Sequence, residues 1–134
     1  MLLLNKVRLK LANFIAPPSK ISDSNEFLFG VPRSPQWEDF RNAWLKLHPF
    51  CIACGNRLRP KLQVHHLVPV HFPGGKEHEL DPENVVTLCV DGPFNVNCHG
   101  MIGHGGNFAD VNPNCISDAG RFFKMIKDRQ HASD

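Results

Sequence analysis

The sequence predicts a single small domain of the α+β class, with two neighbouring strands placed between an earlier and a later helix. The chain has 134 residues, which is about the length of one domain. Hydrophobic residues make up 42% of it and charged residues 21%, a balance typical of a globular protein rather than of a disordered chain or a coiled coil. The net charge of +2 neither requires nor excludes a polyanionic partner.

The first helix is predicted by a start signal and by an apolar stripe. Ser34 suits the N-cap and Pro35 the first helical position, while Pro49 ends the pattern. The apolar face consists of Trp37, Phe40, Trp44 and Leu47. The two tryptophans are two turns apart, and we interpret them as core residues rather than as surfaces for base stacking.

The remaining elements follow a strand, loop, strand, helix order. We expect strands over Leu62–Val70 and Val85–Leu88, a short helix over Cys98–Ile102, and a last helix over about Asp118–His131. The loop between the strands contains Pro73-Gly74-Gly75 and four acidic residues. These are Glu77, Glu79, Asp81 and Glu83, and their charges predict a solvated loop.

The N-terminal segment differs in composition from the rest of the chain. Residues 1–33 are interpreted as a basic arm and linker, and residues 34–134 as the folded domain. No apolar run approaches the roughly 20 residues of a membrane span, and the N-terminal leucines do not resemble a secretory signal. An odd number of cysteines without such a signal favours an intracellular, reducing location.

Four cysteines form two candidate half-sites for zinc. Cys51 and Cys54 have the spacing of a zinc knuckle, whereas Cys89 and Cys98 are separated by eight residues. Four thiolates can close a tetrahedral structural site that adds folding energy. The long spacer leaves open whether the second pair shares one ion with the first, and buried free thiols are the alternative. Cys115 is interpreted as an ordinary thiol.

Two adjacent histidines occur within the first predicted strand. In regular strand geometry the side chains of His65 and His66 leave on opposite faces, so they do not serve one metal as equals. Their adjacency suggests divided roles: one imidazole holds a metal ion while its neighbour removes a proton from water.

The histidine pair, an asparagine and a Cys-His dipeptide occur in an order that resembles the HNH nuclease motif. The residues are His65-His66, Asn84 and Cys98-His99, and the resemblance extends over roughly Arg33 to Asn112. The Cys-x-x-Cys before the double histidine is similar to the zinc-containing branch found in many phage and bacterial endonucleases. The resemblance implies a ββα-metal core.

The resemblance also implies a role for each residue. His65 and His99 correspond to metal ligands, His66 to the general base and Asn84 to a structural asparagine that ties the loop to the backbone. His104 lies five residues after His99, whereas the family's extra ligand in colicin-type nucleases lies four residues after. On a regular helix this spacing turns His104 away from His99, so His104 is either a third ligand or a surface histidine.

The implied activity is metal-dependent hydrolysis of double-stranded DNA with low sequence specificity, by nicking or by double-strand cleavage. The implied cofactors are a structural Zn²⁺ and a catalytic Mg²⁺, Mn²⁺, Ni²⁺ or Zn²⁺ ion. Candidate DNA-binding residues are Lys6, Arg8, Lys10, Arg57, Arg59 and Lys61.

We expect a monomer or weak dimer, without a membrane partner, in the cytoplasm of a bacterial or phage-infected cell. Phage packaging or recombination proteins are possible partners. The alternative function is a non-catalytic zinc-ribbon module that binds nucleic acid; it explains the cysteines but gives no reason for the histidine pair, the asparagine and the Cys-His in that order.

Overall fold

The chain is described here by a computed structural model, which covers residues 27–28, 31–90, 97–107 and 109–132. Its strands and helices are β1 (Phe27–Leu28), β2 (Val31–Pro32), α1 (Trp37–Leu47), β3 (Leu62–His66), β4 (Val85–Cys89) and α2 (Cys115–Ala132). Short helical turns occur at Arg59–Lys61, Lys76–His78 and His99–Gly103. The predicted α+β class is confirmed. The basic arm with Lys6, Arg8 and Lys10 lies outside the described residues.

The central element is the antiparallel pair of β3 and β4, in which Leu62 lies opposite Cys89 and His66 opposite Val85. The prediction that the first strand runs on to Val70 is wrong. The pairing of β3 with β4 ends after His66. Beyond this point the Asn84 side chain, instead of a strand backbone, forms hydrogen bonds with Val68. Its Oδ1 accepts the Val68 N–H at 2.9 Å and its Nδ2 donates to the Val68 carbonyl at 3.0 Å.

Helix α1 begins two residues later than predicted. The Ser34 carbonyl accepts the Trp37 N–H at 3.0 Å and the Ser34 hydroxyl accepts the Gln36 N–H at 3.2 Å, so Ser34 closes a turn that precedes the helix. The predicted apolar face is also wrong at its last position, since Leu47 is 41% exposed and Leu45 is buried instead.

The core lies between α1 and one face of the β3–β4 pair. Phe40 and Leu62 are fully buried there, and burial of each such side chain contributes about 1.5–3 kcal/mol. Trp44 is also buried, and its Nε1 donates to Thr87 Oγ1 at 3.0 Å. This contact confirms that Trp44 is a core residue. The opposite face of the strand pair is covered by the His99–Gly103 turn.

Helix α2 begins at Cys115, three residues before the predicted start. Asn112 fixes this start: its carbonyl accepts the Cys115 N–H at 3.1 Å and its Oδ1 accepts the Asn114 N–H at 2.9 Å. Cys115 and Ala119 then face the core. Within the described ranges, no helix has the length and apolar character needed to cross a membrane.

Candidate metal centres and active site

Four cysteines from three parts of the chain come together on the side of β4. The sulfur atoms of Cys51, Cys54, Cys89 and Cys98 all lie within 4.8 Å of one another. Cys89 is the last residue of β4, and the sulfur atom of Cys98 lies beside those of Cys89 and the knuckle cysteines. The eight-residue spacer therefore does not separate the two half-sites.

The knuckle that carries the first two cysteines is a tight backbone turn. The Gly55 N–H donates to the Cys51 carbonyl at 2.9 Å, and Gly55 has a φ of +78°, a conformation that favours glycine. The Ile52 N–H donates to the Thr87 carbonyl at 3.0 Å, which attaches the knuckle to β4. The sulfur atoms are thus positioned by backbone hydrogen bonds.

The thiols of this cluster compete for protons. A hydrogen bond between Cys98 and Cys51 lowers the pKa of Cys51 to about 5 and raises that of Cys98. Burial raises the pKa of Cys54 to about 12. Because each further thiolate adds negative charge to a buried group, the protein alone holds one thiolate easily and the others poorly. A soft divalent cation removes this conflict, so the donor set fits zinc.

A second cluster consists of three histidines on the other face of the β3–β4 pair. The ligand nitrogens of His65, His99 and His104 lie within 4.8 Å of one another, and Nε2 of His99 is 3.2 Å from Nε2 of His104. His65 comes from β3, while His99 and His104 come from the turn that follows Cys98. The structure therefore groups His104 with the two residues that the sequence predicted as ligands.

His104 reaches the cluster because the turn after Cys98 is wider than an α-helix. The His104 N–H donates to the His99 carbonyl at 3.2 Å, a bond between residues five apart, so one turn closes over this spacing. The short helix expected over Cys98–Ile102 is present as His99–Gly103, but it is wider than an α-helix. Gly103 permits the close packing, since a Cβ atom on it would lie 3.0 Å from the His65 ring.

The hydrogen bonds of the cluster leave ring nitrogens suited to a metal. Nδ1 of His104 donates to the Asp110 carbonyl at 2.7 Å, so in the neutral ring the lone pair is on Nε2, which faces His99. His65 is only 1% exposed, and neither of its ring nitrogens has a hydrogen-bond partner among the described residues. A buried imidazole without partners is costly, and a bound cation supplies the missing interaction.

Burial keeps the imidazoles of His65 and His99 neutral. It lowers the pKa of His65 to about 3 and that of His99 to about 4, and the neighbouring histidine charges lower both values further. Neutral imidazole is the form that binds metals. At neutral pH His65 and His99 thus offer lone pairs without first losing protons.

His66 lies in different surroundings from His65, as expected for neighbours in a strand. Its ring is 4.9 Å from the Trp37 ring, and its Nε2 donates to the Glu79 carbonyl at 2.8 Å. A carbonyl only accepts, so the proton of the neutral ring is on Nε2 and the lone pair on Nδ1. Burial lowers the pKa of His66 to about 4, and this histidine is close enough to His65 and His99 to affect their pKa values.

Asn84 holds the loop between the strands in the manner predicted. Besides its two bonds to Val68, its Nδ2 donates to the His78 carbonyl at 3.1 Å. Its buried side chain thus connects the two ends of the loop next to Glu79, whose carbonyl accepts from His66.

Glu79 is the residue of this region that the sequence analysis missed. The loop was expected to be solvated, but Glu79 is 2% exposed and its carboxylate pairs with Lys76 and with the Ser34 N–H at 3.0 Å. The only signal in the sequence is the spacing of Lys76 and Glu79, three residues apart. That spacing does not show that the pair is buried.

The predicted DNA-binding residues near the knuckle lie at the surface. Arg57 and Arg59 are exposed, and Lys61 is partly exposed. The guanidinium carbon of Arg57 is 5.4 Å from the centre of the Phe50 ring. These side chains are accessible to an anionic partner.

Comparison with known proteins identifies one family. Residues 51–105 match the family model described as HNH endonuclease. The match begins at the first cysteine of the knuckle and ends just after His104, so it contains both clusters and the asparagine. Searches of curated proteins and of solved structures found no significant match. Residues 51–105 therefore match an HNH endonuclease domain, and this match supports a nuclease-type function in general.

Proposed function

We propose that the protein is a metal-dependent endonuclease that hydrolyses phosphodiester bonds of double-stranded DNA. The observation that carries this proposal is the division between two neighbouring histidines. His65 faces two further imidazoles, whereas His66 has one nitrogen occupied by a carbonyl and a lone pair on the other. A group of metal-binding histidines beside a neutral base suits the hydrolysis of an unreactive anionic ester.

His65, His99 and His104 are the proposed ligands of a divalent ion. Three neutral imidazoles leave coordination positions for water and substrate and accept Zn²⁺, Ni²⁺, Mn²⁺ or Mg²⁺ with differing affinity. When bound, such an ion acts as a Lewis acid toward the phosphate and the leaving oxygen.

His66 is the proposed general base. Its Nδ1 accepts a proton from the attacking water while Nε2–H remains bonded to the Glu79 carbonyl, which stabilises the imidazolium that forms. The Trp37 ring beside it restricts rotation of the imidazole. Asn84 has an indirect role, since it holds the loop that supplies the carbonyl.

The four cysteines are the proposed ligands of a structural zinc ion. They join the knuckle, the end of β4 and the start of the histidine-bearing turn. A metal at this point fixes the position of His99 relative to β3, because Cys98 and His99 are consecutive residues.

DNA affinity is proposed to come from cationic side chains, namely Lys6, Arg8, Lys10, Arg57, Arg59 and Lys61. Contacts of this kind neutralise phosphates and give binding that weakens steeply with salt, without reading the base sequence. We therefore expect cleavage with little sequence preference.

Cleavage of supercoiled plasmid tests the proposal. Protein is treated with EDTA, and Mg²⁺, Mn²⁺, Ni²⁺ or Zn²⁺ is then added. We expect wild-type protein to nick or linearise the plasmid with at least one metal, and His66→Ala to be slower by about 10²–10⁴-fold, the usual contribution of a general base.

The control is His131→Ala, which replaces an exposed histidine of α2 and should cut at the wild-type rate. If wild-type protein retains zinc and binds DNA but cuts under no metal, the non-catalytic zinc module becomes the better account. If His66→Ala cuts at the wild-type rate, His66 is not the base.

A further inference from the structure

We infer that Glu79 is a positioning residue for His66, and that the segment before α1 completes the active site by holding Glu79 in place. The inference rests on the proposed role of His66 as the base. Glu79 contacts His66 through its backbone carbonyl and the preceding segment through its side chain. One residue thus connects the base to a part of the chain distant in sequence.

The carboxylate of Glu79 is buried and fully engaged. It is 2% exposed, forms a very short contact with the ammonium group of Lys76, accepts the Ser34 N–H at 3.0 Å, and lies 3.9 Å from Nη1 of Arg33. Removing a carboxylate from water is costly unless charges and hydrogen bonds replace the lost hydration. Lys76, Ser34 and Arg33 supply that replacement and fix the carboxylate in position.

Lys76 extends the connection to the segment before α1. Its Nζ also donates to the Pro32 carbonyl at 2.6 Å. The Lys76–His78 turn is therefore attached to the chain at Pro32 and at Ser34. These contacts restrain the backbone at Glu79, whose carbonyl accepts the His66 N–H.

Trp37, the first residue of α1, also contacts the His66 ring. The ring of Trp37 is 4.9 Å from that of His66, and the guanidinium carbon of Arg33 lies 4.5 Å from the centre of a Trp37 ring. Arg33 thus contacts both restraints, the Glu79 carboxylate and Trp37. For Nδ1 of His66 to accept the proton, the imidazole must keep one tautomer and one ring orientation.

These contacts come from outside the family match. Pro32, Arg33, Ser34 and Trp37 all precede residue 51, where the match to the HNH family begins. The contacts that restrain the base therefore include residues that precede the matched residues 51–105.

Single-turnover cleavage with Glu79→Gln tests the inference. Glutamine keeps the shape but removes the charge that Lys76 and Arg33 contact. We expect the cleavage rate at saturating protein to fall by about 10-fold or more, the usual effect of residues that orient a functional group. DNA affinity and Mn²⁺ affinity should remain within about twofold of wild type, because Glu79 belongs to neither set of ligands. Glu77→Gln, an exposed acid of the same loop, is the matched control and should cut normally.

A second comparison separates positioning from a general loss of structure. In the His66→Ala background, Glu79→Gln should cause no further loss of rate, because there is no base left to orient. If Glu79→Gln lowers the residual rate of that background as much as it lowers the wild-type rate, or if it weakens Mn²⁺ binding in parallel, its role is structural and the inference is wrong.

A third variant covers the case in which Glu79→Gln fails to fold. Lys76→Gln removes one partner of the carboxylate at a side chain that is 39% exposed, and it should give a smaller loss that also vanishes in the His66→Ala background. Normal cleavage by both Glu79→Gln and Lys76→Gln would overturn the inference and leave the proposed function intact. Normal cleavage by His66→Ala would instead overturn the proposed function.

Discussion

His65 and His66 are consecutive residues with nearly equal burial, yet their surroundings give them different chemistry. His65 is 1% exposed and His66 7% exposed, and burial is the largest cause of the lowered pKa in both. The difference lies in their hydrogen bonds. His66 has a carbonyl that fixes its tautomer, whereas the His65 ring nitrogens have no such partner among the described residues. The alternation of side chains along a strand produces this division.

The lowered pKa values predict that the fold is sensitive to acid. The pKa values of His65, His66 and His99 are about 3 to 4 in the folded protein, below the ordinary 6.5. Between pH 6.5 and 4 the unfolded chain therefore binds more protons than the folded one, and stability falls as the pH falls through this window. Each histidine contributes at most about 1.4 kcal/mol per pH unit.

Thermal unfolding of EDTA-treated protein between pH 7.5 and 5 measures this effect. We expect Tm to drop as the pH is lowered, with a shallower drop for His66→Ala, which has one such histidine fewer. An unchanged Tm over this range would contradict the burial of the cluster.

The His99–Gly103 turn shows how one short element determines the site. The hydrogen bond from the His104 N–H to the His99 carbonyl places His104 beside His99. The turn also packs closely on β3 at Gly103. Asn112 attaches the turn to α2, since its N–H donates to the Gly103 carbonyl at 3.0 Å and its Nδ2 donates to Ile102 and Asp118. The turn is therefore held from both sides.

Gly103→Ala should disturb the histidine cluster. The added Cβ would lie 3.0 Å from the His65 ring and 3.0 Å from Leu88 Cδ1, so the turn or the ring must shift. We expect a destabilisation of about 1–3 kcal/mol, typical of overpacking, together with weaker Mn²⁺ binding. Gly120→Ala is the control, because a Cβ there meets nothing within 4 Å and alanine favours a helix by about 1 kcal/mol. Equal Tm values and Mn²⁺ affinities for Gly103→Ala and wild type would show that the turn is not tightly packed.

Much of the element order could be predicted from the sequence, because proline and serine signals and apolar periodicity are local properties. The errors occur where a tertiary contact decides the outcome. Asn84 ends β3 by binding Val68, and Asn112 starts α2 early. The turn after Cys98 is closed by a bond between residues five apart and packs against His65 at Gly103. None of these contacts has a local pattern that predicts it.

At the scale of the whole molecule, the two clusters connect distant parts of the chain around one strand pair. The cysteine cluster joins positions 47 residues apart, from Cys51 to Cys98. The histidine cluster joins β3 to the His99–Gly103 turn and to His104 directly after it. The resemblance to a known family predicted that His65 and His99 lie together, but the sequence left open whether Cys89 and Cys98 join the knuckle and whether His104 joins the histidines. It did not predict the Glu79 contacts, because a charged loop residue gives no sign of burial.

The central claim is that neighbouring histidines have separate roles, and the most direct test measures metal binding and cleavage for both. Protein with zinc in the cysteine site is titrated with Mn²⁺ by calorimetry, and its single-turnover cleavage rate is measured, for wild type, His65→Ala and His66→Ala. We predict that His66→Ala binds Mn²⁺ with near wild-type affinity but cuts at least about 100-fold more slowly, while His65→Ala loses both properties. If His66→Ala weakens Mn²⁺ binding as much as His65→Ala does, or cuts at the wild-type rate, the division of roles is wrong.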